Sequence, residues 1–393
     1  MIPSTPVARG PAPAQLVGTG AVRAAIASLG ISHPVVFVDA NTTSAADTVL
    51  GGCPALSPAD RIVVDAPIGW TQIESFARIV RDAAPDALLA IGGGNTMDAA
   101  KLSGWCAAAD RTTGALRARS QLGGLLFAGR ADDLLPLVCA PTTVGTGAEV
   151  SSVACTEVRL GDDSFKCLVG FEQSTVRAAA YDPRLLDVPR RLLTAGIAEA
   201  WIRVLGAFVG ASSSIPGSDQ EAIALIGRLA SIAERTHGGD DPDQRVVADV
   251  ALASAATHTG WALRGRGLAP SPLWFIANEL SMMASVSKME ATQALLPGWL
   301  RSVSTGDSAW GAAPRVHQAL EASGCDRGSD LAARIRALVG APRITFDARR
   351  LADRVVARFG GGRPLPRALT RTVIARMVAP SADDEKGGSD AAD

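Results

Sequence analysis

The sequence predicts an α/β domain on a parallel sheet followed by an all-helical domain, and three observations carry that prediction. Short apolar runs alternate with helical stretches from residue 15 to about 182. β-branched runs vanish from about 189 onward, where Ala, Leu and Arg dominate. A glycine-rich turn, Gly92-Gly93-Gly94, stands where an apolar run meets a helix. Strand, helix, strand in that rhythm argues for parallel pairing through helical crossovers.

The elements follow in order. Residues 1–14 are a Pro/Ala-rich lead and 380–393 a small, charged tail, both expected to be mobile; the domains are 15–185 and 186–379. Gly18-Thr19-Gly20 opens a helix, and Val35–Val38 is a strand ending at Asp39. Arg61–Val64 is a second strand, Trp70–Ala84 an amphipathic helix, and Ala87–Ile91 a strand that runs into the glycines. Pro136–Ala140 is a buried strand closed by Pro141. Asp182-Pro183 and Val188-Pro189 mark the domain boundary, since a residue before proline is pushed out of helical geometry. Helices are expected at 189–211, 219–236, 242–262, 272–287, 309–323, 329–339, 346–358 and 366–378.

Composition excludes several classes of function. At 393 residues, 47% hydrophobic and 20% charged, the chain is globular and long enough for two domains. Net charge is −1 with the two signs interspersed, so there is no electrostatic footprint for nucleic acid or an anionic membrane. The N-terminus lacks the basic-then-apolar layout of a signal peptide, and no long uncharged apolar stretch appears, which points to the cytoplasm. Cys53, Cys106, Cys139, Cys155, Cys167 and Cys325 show no paired spacing and read as reduced, small core residues. Lys101, Lys166, Lys288 and Lys386 are the only lysines among 38 basic residues, so each invites a functional question.

The turn Gly92-Gly93-Gly94-Asn95-Thr96 carries the clearest chemistry. A strand delivers glycines to a helix start, where unpaired N–H groups and the positive end of the helix dipole favour a phosphate. Asn95 and Thr96 are expected to cap the helix and donate to phosphate oxygens. Asp39, at its strand end, would accept from ribose hydroxyls and repel a 2′-phosphate, which favours NAD over NADP; a plain turn residue is the alternative. Pro141–Val150 is a second hydroxyl-rich turn after a strand, suited to closing over a nicotinamide or phosphate, or to serving as an ordinary connection.

Together, GGGNTMDAAK and PTTVGTGAEVSS resemble the GGGSxxDxAK and PTTxGTGSExT segments of the iron-containing alcohol dehydrogenases, relatives of glycerol dehydrogenase and dehydroquinate synthase. Phe165-Lys166, Tyr181-Asp182-Pro183-Arg184-Leu185 and Leu295-Leu296-Pro297 fall in the family's order. The resemblance implies a Rossmann-like NAD-binding domain, a helical domain, an active site between them and a homodimer. It places Gly92, Gly93, Gly94, Asn95, Thr96 and Asp98 on the cofactor, with Asp39 on the ribose; Thr142, Thr143 and Thr146 fall on the nicotinamide side and Lys166 faces the cofactor.

The chain departs from that family where the metal should bind. The family's ion is held by one carboxylate and two or three histidines, and this chain has only His33, His237, His258 and His317. Glu199, in Gly196-Ile197-Ala198-Glu199, or else Ala198, stands at the carboxylate position; Ile202 or Arg203 takes the next histidine's place, and Gly267–Glu290 contains no histidine. The expectation is that family-type metal binding is lost. Lys288 aligns with the last histidine and is the candidate to replace the metal's electrostatic role, the alternative being a solvated lysine paired with Glu290 or Glu279. Arg203, Trp274 and Asn278 are expected to line the substrate pocket, Arg203 holding an anionic group or pairing with Glu199.

These readings lead to a metal-independent, NAD-linked oxidoreductase acting on a hydroxyl or carbonyl carbon of a small molecule or peptide, with catalytic Lys288, Glu199 and Lys166. Oxidation of a β-hydroxy acid, such as a peptide C-terminal threonine, would give a β-keto acid that loses carbon dioxide, as in daptide-type peptide pathways. A dehydroquinate synthase-like lyase and a non-catalytic cofactor-binding scaffold stay open as alternatives.

Overall fold

A parallel sheet is covered on both faces, so its central strands read as unbroken apolar runs. The computed structural model describes residues 12–51, 61–65, 67–172, 174–211, 213–237, 243–266, 271–340, 344–362 and 364–379. The lead before residue 12, the tail from 380 and Cys53 lie outside the described residues.

The first part of the chain runs β1 (Ala14–Val17), α1 (Ala21–Ser28), β2 (Pro34–Asp39), α2 (Thr43–Leu50), β3 (Arg61–Val64) and α3 (Trp70–Ala83). It continues through β4 (Ala87–Gly92), α4 (Gly94–Ala108), α5 (Asp110–Ser120), β5 (Leu125–Ala128) and β6 (Leu137–Pro141). The hairpin β7 (Val153–Leu160) and β8 (Asp163–Phe171) follows, then β9 (Val176–Tyr181). From there the chain is helical: α6 (Arg190–Gly210), α7 (Pro216–His237), α8 (Gln244–Thr259), α9 (Pro272–Ala284), α10 (Lys288–Ser304), α11 (Ala313–Ala322), α12 (Gly328–Val339), α13 (Ala348–Phe359) and α14 (Arg371–Val378).

Six strands form a parallel sheet in the order β1-β9-β6-β4-β2-β3. From β2 the chain steps to β3 on one side, and from β4 it steps to β6 on the other. Crossovers of one hand then put the following helices on opposite faces. α2 buries Ala46, Val49 and Leu50 with Val36 and Val38, whereas α4 buries Met97, Ala99 and Ala100 with Val35 and Phe37. The layers therefore part where β2 and β4 end, which in such sheets opens a ligand crevice at the carboxyl edge.

A second sheet, β5-β8-β7, contains the antiparallel pair β7/β8, an addition to the parallel sheet read from the sequence. The hairpin turns through Gly161, at φ +59°, and Asp162, a two-residue turn whose glycine signal is in the sequence.

Three helical expectations are corrected. α10 falls where no helix was expected, because Pro297-Gly298 looks like a break. Gly298 is there for packing, since a Cβ would stand 2.3 Å from the Met377 carbonyl oxygen. α9 stops at Ala284, with Ser285 in left-handed geometry at φ 53°, and α14 begins only at Arg371, after Pro364 and Pro366.

Packing divides the chain into two compact units, one reaching Ala200 and including Ile232–Gly260, the other comprising Trp201–Ser231 and the chain from Trp261. The division falls inside α6 rather than at the prolines where strands give way to helices. The first turns of α6, together with α8, pack on the first unit, and composition alone does not show this. α6 has the length and apolarity to cross a bilayer, but 72% of that window is buried, as in a core helix. Cys106, Cys139 and Cys167 are buried and Cys155 and Cys325 half-buried; burial pushes the Cys139 and Cys167 thiols up to about 12.

Asp182 fixes one end of the sheet. Its Oδ2 accepts from the Gly20 N–H at 2.8 Å and the Arg184 guanidinium at 2.8 Å, which clamps the Gly18-Thr19-Gly20 turn to β9. Burial alone would raise its pKa, but the bonds from Arg184 and Gly20 outweigh it and hold the carboxyl below its ordinary value. Replacing Asp182 by Ala leaves part-buried donors without their acceptor and should cost about 1 kcal/mol at neutral pH in urea melts. A depressed folded-state pKa stabilises above the unfolded value of about 3.9 and fades as pH falls through the folded one, so the gap should close in acid. A gap that persists at about pH 2 would contradict this account.

Candidate functional site

Parallel strands present all their carboxyl ends at one edge, and that edge collects most residues singled out in the sequence. β4 ends at Gly92, where a Cβ would lie 2.5 Å from Thr96 Oγ1 and 2.8 Å from Asp39 Cβ. The Gly92 carbonyl accepts the Thr142 N–H at 3.0 Å. A Cβ on Gly93 would touch Thr143 at 3.4 Å, and one on Gly94 would touch Thr146 at 3.4 Å. Asp39, Gly92, Gly93, Gly94, Thr96, Thr142, Thr143 and Thr146 are thus brought together.

The helix start itself differs from expectation. α4 begins at Gly94 with Gly93 as N-cap and no side-chain cap, so Asn95 and Thr96 lie inside its first turn instead of capping it. Asn95 is exposed, and Thr96 is fully buried with an Oγ1 that has no partner. Uncapped N–H groups, small residues and an orphaned hydroxyl fit the pyrophosphate of a dinucleotide. Asp39 Oδ1 accepts from the Asn41 backbone at 2.9 Å, which fixes the carboxylate at the strand end.

The loop from Thr142 to Gly147 is held from behind. Gly145, at φ +101°, approaches α6 so closely that a Cβ would stand 2.3 Å from Gly196 Cα. Gly147, at φ +62°, abuts the His258 ring, which a Cβ would meet at 2.0 Å. His258 Nε2 lies 3.0 Å from the Thr146 carbonyl oxygen, and since a carbonyl only accepts, Nε2 carries the hydrogen. His258, which the sequence offers only as one of four histidines, is the residue that sequence reasoning missed; the second glycine of GTG was the available signal. Glu199 follows Gly196 by three residues on α6, on the turn next to this loop.

Two further expected cofactor residues make contacts with the second sheet or lie on it. Asp98 Oδ2 accepts the Cys155 N–H at 3.0 Å and its Oδ1 faces Lys101 Nζ at 3.5 Å, while Lys101 donates to the Val153 carbonyl at 3.1 Å. That network ties α4 to β7. Lys166 lies on β8 opposite Glu157 in the antiparallel register of the second sheet.

The helical unit gathers a second group. Lys288 Nζ sits 3.8 Å from the Trp274 ring centroid and Arg203 Cζ 5.6 Å from the same ring. Asn278, four residues beyond Trp274 on α9, is 2% exposed with an unpartnered Nδ2. Glu290 caps α10 through the Ser287 N–H at 2.7 Å, and Glu279 pairs with Arg354 at 2.9 Å.

Among the described residues no group of three or more His, Cys, Asp or Glu is placed to hold a metal ion. His258 is bonded to a backbone carbonyl, His317 is exposed, and Ala198 and Ile202 are buried apolar residues. That donor set does not fit the family's ion.

Substitution of His258 by Leu should weaken NAD binding about tenfold by loosening the loop, read by fluorescence titration, while Gln, which keeps a donor, should recover most of it. Equal affinities for all three proteins would remove His258 from this role.

Residues 14–178 match the sequence profile described as iron-containing alcohol dehydrogenase. A long-chain-alcohol dehydrogenase of Geobacillus thermodenitrificans is 28% identical over 59% of this chain and 56% of its own. A phosphonoacetaldehyde reductase of Streptomyces viridochromogenes is 34% identical over 53% of this chain and 52% of its own. The chain thus spans about half the length of the curated relatives it matches. The fold is that of an iron-containing alcohol dehydrogenase from Thermotoga maritima, with TM-score 0.70 at 14% identity over 93% of this chain and 96% of that one. It is also that of a sulfoacetaldehyde reductase from Bifidobacterium kashiwanohense solved with NAD+, with TM-score 0.70 at 16% identity over 94% and 97%.

Proposed function

We propose that this chain, whose residues 14–178 match the iron-containing alcohol dehydrogenase family, is an NAD-dependent oxidoreductase of a hydroxyl or carbonyl carbon that works without the family's metal. The observations that carry the reading are a cofactor-shaped turn at Gly92–Thr96 and, among the described residues, the lack of any group of three His, Cys, Asp or Glu placed to hold a metal ion. The bound nicotinamide would supply the hydride acceptor or donor. The chain's own residues do the rest.

Gly93 and Gly94 leave the α4 N–H groups open to the pyrophosphate, Asp39 orients the ribose, and the Thr142–Thr146 loop orients the ring side. Glu199 and Lys166 keep the catalytic roles expected of them as part of this proposal. Lys288 takes the metal's place: an ammonium polarises a carbonyl oxygen and gives it a proton, and a neutral amine takes the proton of a hydroxyl. Resting on Trp274 keeps that nitrogen from being fully hydrated.

The narrower form of the proposal is oxidation of a β-hydroxy acid, such as a peptide C-terminal threonine, in natural-product biosynthesis. The hydroxyl carbon gives up its hydride and the oxygen its proton, and the β-keto acid then releases carbon dioxide. Relatives named for phosphonoacetaldehyde and 4-hydroxybutyrate favour a substrate with an anionic group. The proposal places the enzyme in the cytoplasm as a homodimer, with no nucleic-acid or membrane partner.

Turnover should survive exhaustive dialysis against EDTA, and Lys288→Ala should lower kcat about 10²- to 10⁴-fold with little change in NAD affinity. Stoichiometric iron or zinc in active protein, or full activity of Lys288→Ala, would sink the reading.

A further inference from the structure

We propose that Lys101 is a positioning residue for the nicotinamide end of the cofactor: it tethers the exit of the Thr142–Ser152 loop to the helix whose first turn takes the pyrophosphate. The proposal rests on the reading that the chain binds NAD. Lys101 is one of four lysines among 38 basic residues, and neither the cofactor nor the catalytic assignments use it.

The tether follows from an open strand edge. β7 is an edge strand, in the order β5-β8-β7, so every second residue along it turns its backbone groups away from β8 and toward no strand. The Ser152 carbonyl accepts the Phe171 N–H on the β8 side, which makes Val153 and Cys155 outward-turned residues. α4 closes that edge with two side chains. Asp98 Oδ2 accepts the Cys155 N–H at 3.0 Å, and Lys101 Nζ donates to the Val153 carbonyl at 3.1 Å. Three residues apart on α4, they share a face and supply the acceptor and the donor that a neighbouring strand would have supplied.

Lys101 is 2% exposed, and its Nζ lies nearer the Val153 carbonyl than the Asp98 carboxylate, which is 3.5 Å away. Water cannot replace a partner lost at such depth, so the bond to Val153 is a fixed one. A compact ammonium can serve a carbonyl and a carboxylate on different sides, whereas a planar guanidinium directs its donors in one fork. Both ends of the loop are thereby referred to the phosphate turn. At the entry the Thr142 N–H donates to the Gly92 carbonyl at 3.0 Å; at the exit the Val153 N–H donates to Ser151 Oγ at 3.1 Å, which passes the constraint into the loop. α4 starts at Gly94, and Lys101 stands about 10 Å further along its axis. One rigid helix thus carries the phosphate site at its start and the tether two turns on. ADP-ribose needs only the turn and Asp39, whereas the complete dinucleotide needs the loop as well.

Calorimetry with NAD and with ADP-ribose on the full chain is the test. Lys101→Met, which keeps the stem and removes the ammonium, should weaken NAD about tenfold and leave ADP-ribose within about twofold. Lys101→Gln keeps a shorter donor and should recover part of the loss; it stands in for Lys101→Met, with the same selectivity expected, if melting curves show that Lys101→Met does not fold. A general loosening of the domain would weaken both ligands alike. Equal weakening of the two, or no weakening of NAD, overturns the proposal, and wild type that binds neither ligand overturns it together with the parent reading. NADH absorbance with a hydroxy acid separates the two: selective loss of NAD affinity alongside a wild type without turnover refutes hydride transfer and leaves the tether standing.

Discussion

The carboxyl edge depends on the absence of one side chain, at Gly92. Asp39 from β2, Thr96 from the first turn of α4 and the Thr142 N–H from the end of β6 all converge on that residue, and no carbon fits among them. Gly93 and Gly94 are under a milder constraint, since a Cβ on either would meet its threonine neighbour at only 3.4 Å. The three glycines therefore serve different purposes. The first is demanded by the fold, because strand, neighbouring strand and helix meet there. The other two are demanded by whatever must approach the backbone.

The same device recurs wherever a functional segment is braced. Gly145 meets Gly196, Gly147 meets His258, and Gly206 meets Ser271. In each case a missing Cβ lets one element press directly on another, so the loop or helix that carries a binding group rests on rigid secondary structure. Bracing of this kind limits the positions a loop can sample without adding any contact to the ligand itself.

What could be read in the sequence was what is local. Apolar runs announced β2, β4 and β6, and glycines at a strand end announced the helix start. The scarcity of lysine drew attention to Lys288, and Arg203 and Trp274 were picked out with it. What could not be read was who stands opposite. His258 lies 112 positions from the loop that it holds, and no local pattern encodes that pairing. α10 was hidden because Pro297 and Gly298 break the helical pattern in sequence, whereas in the fold Gly298 admits the Met377 carbonyl. Asp98 is legible as part of the motif, but that its Oδ2 accepts the Cys155 N–H, 57 positions away, is not. A motif fixes which residues are near a site, not which way each one is used.

Replacing a divalent ion by a lysine changes the kind of catalysis as well as its agent. A metal polarises an oxygen without moving protons, whereas an ammonium polarises it and holds a transferable proton in the same group. Such a group must be kept partly out of water. The structure sets Lys288 on an aromatic face. An aromatic ring attracts a cation through its quadrupole without bringing a full negative charge, and so leaves the proton available. Arg203, held on that same indole, has no proton to give at any physiological pH, which suits it for gripping and unsuits it for acid–base work. One tryptophan thereby carries two cations of different chemistry, a planar guanidinium and a point-charge ammonium.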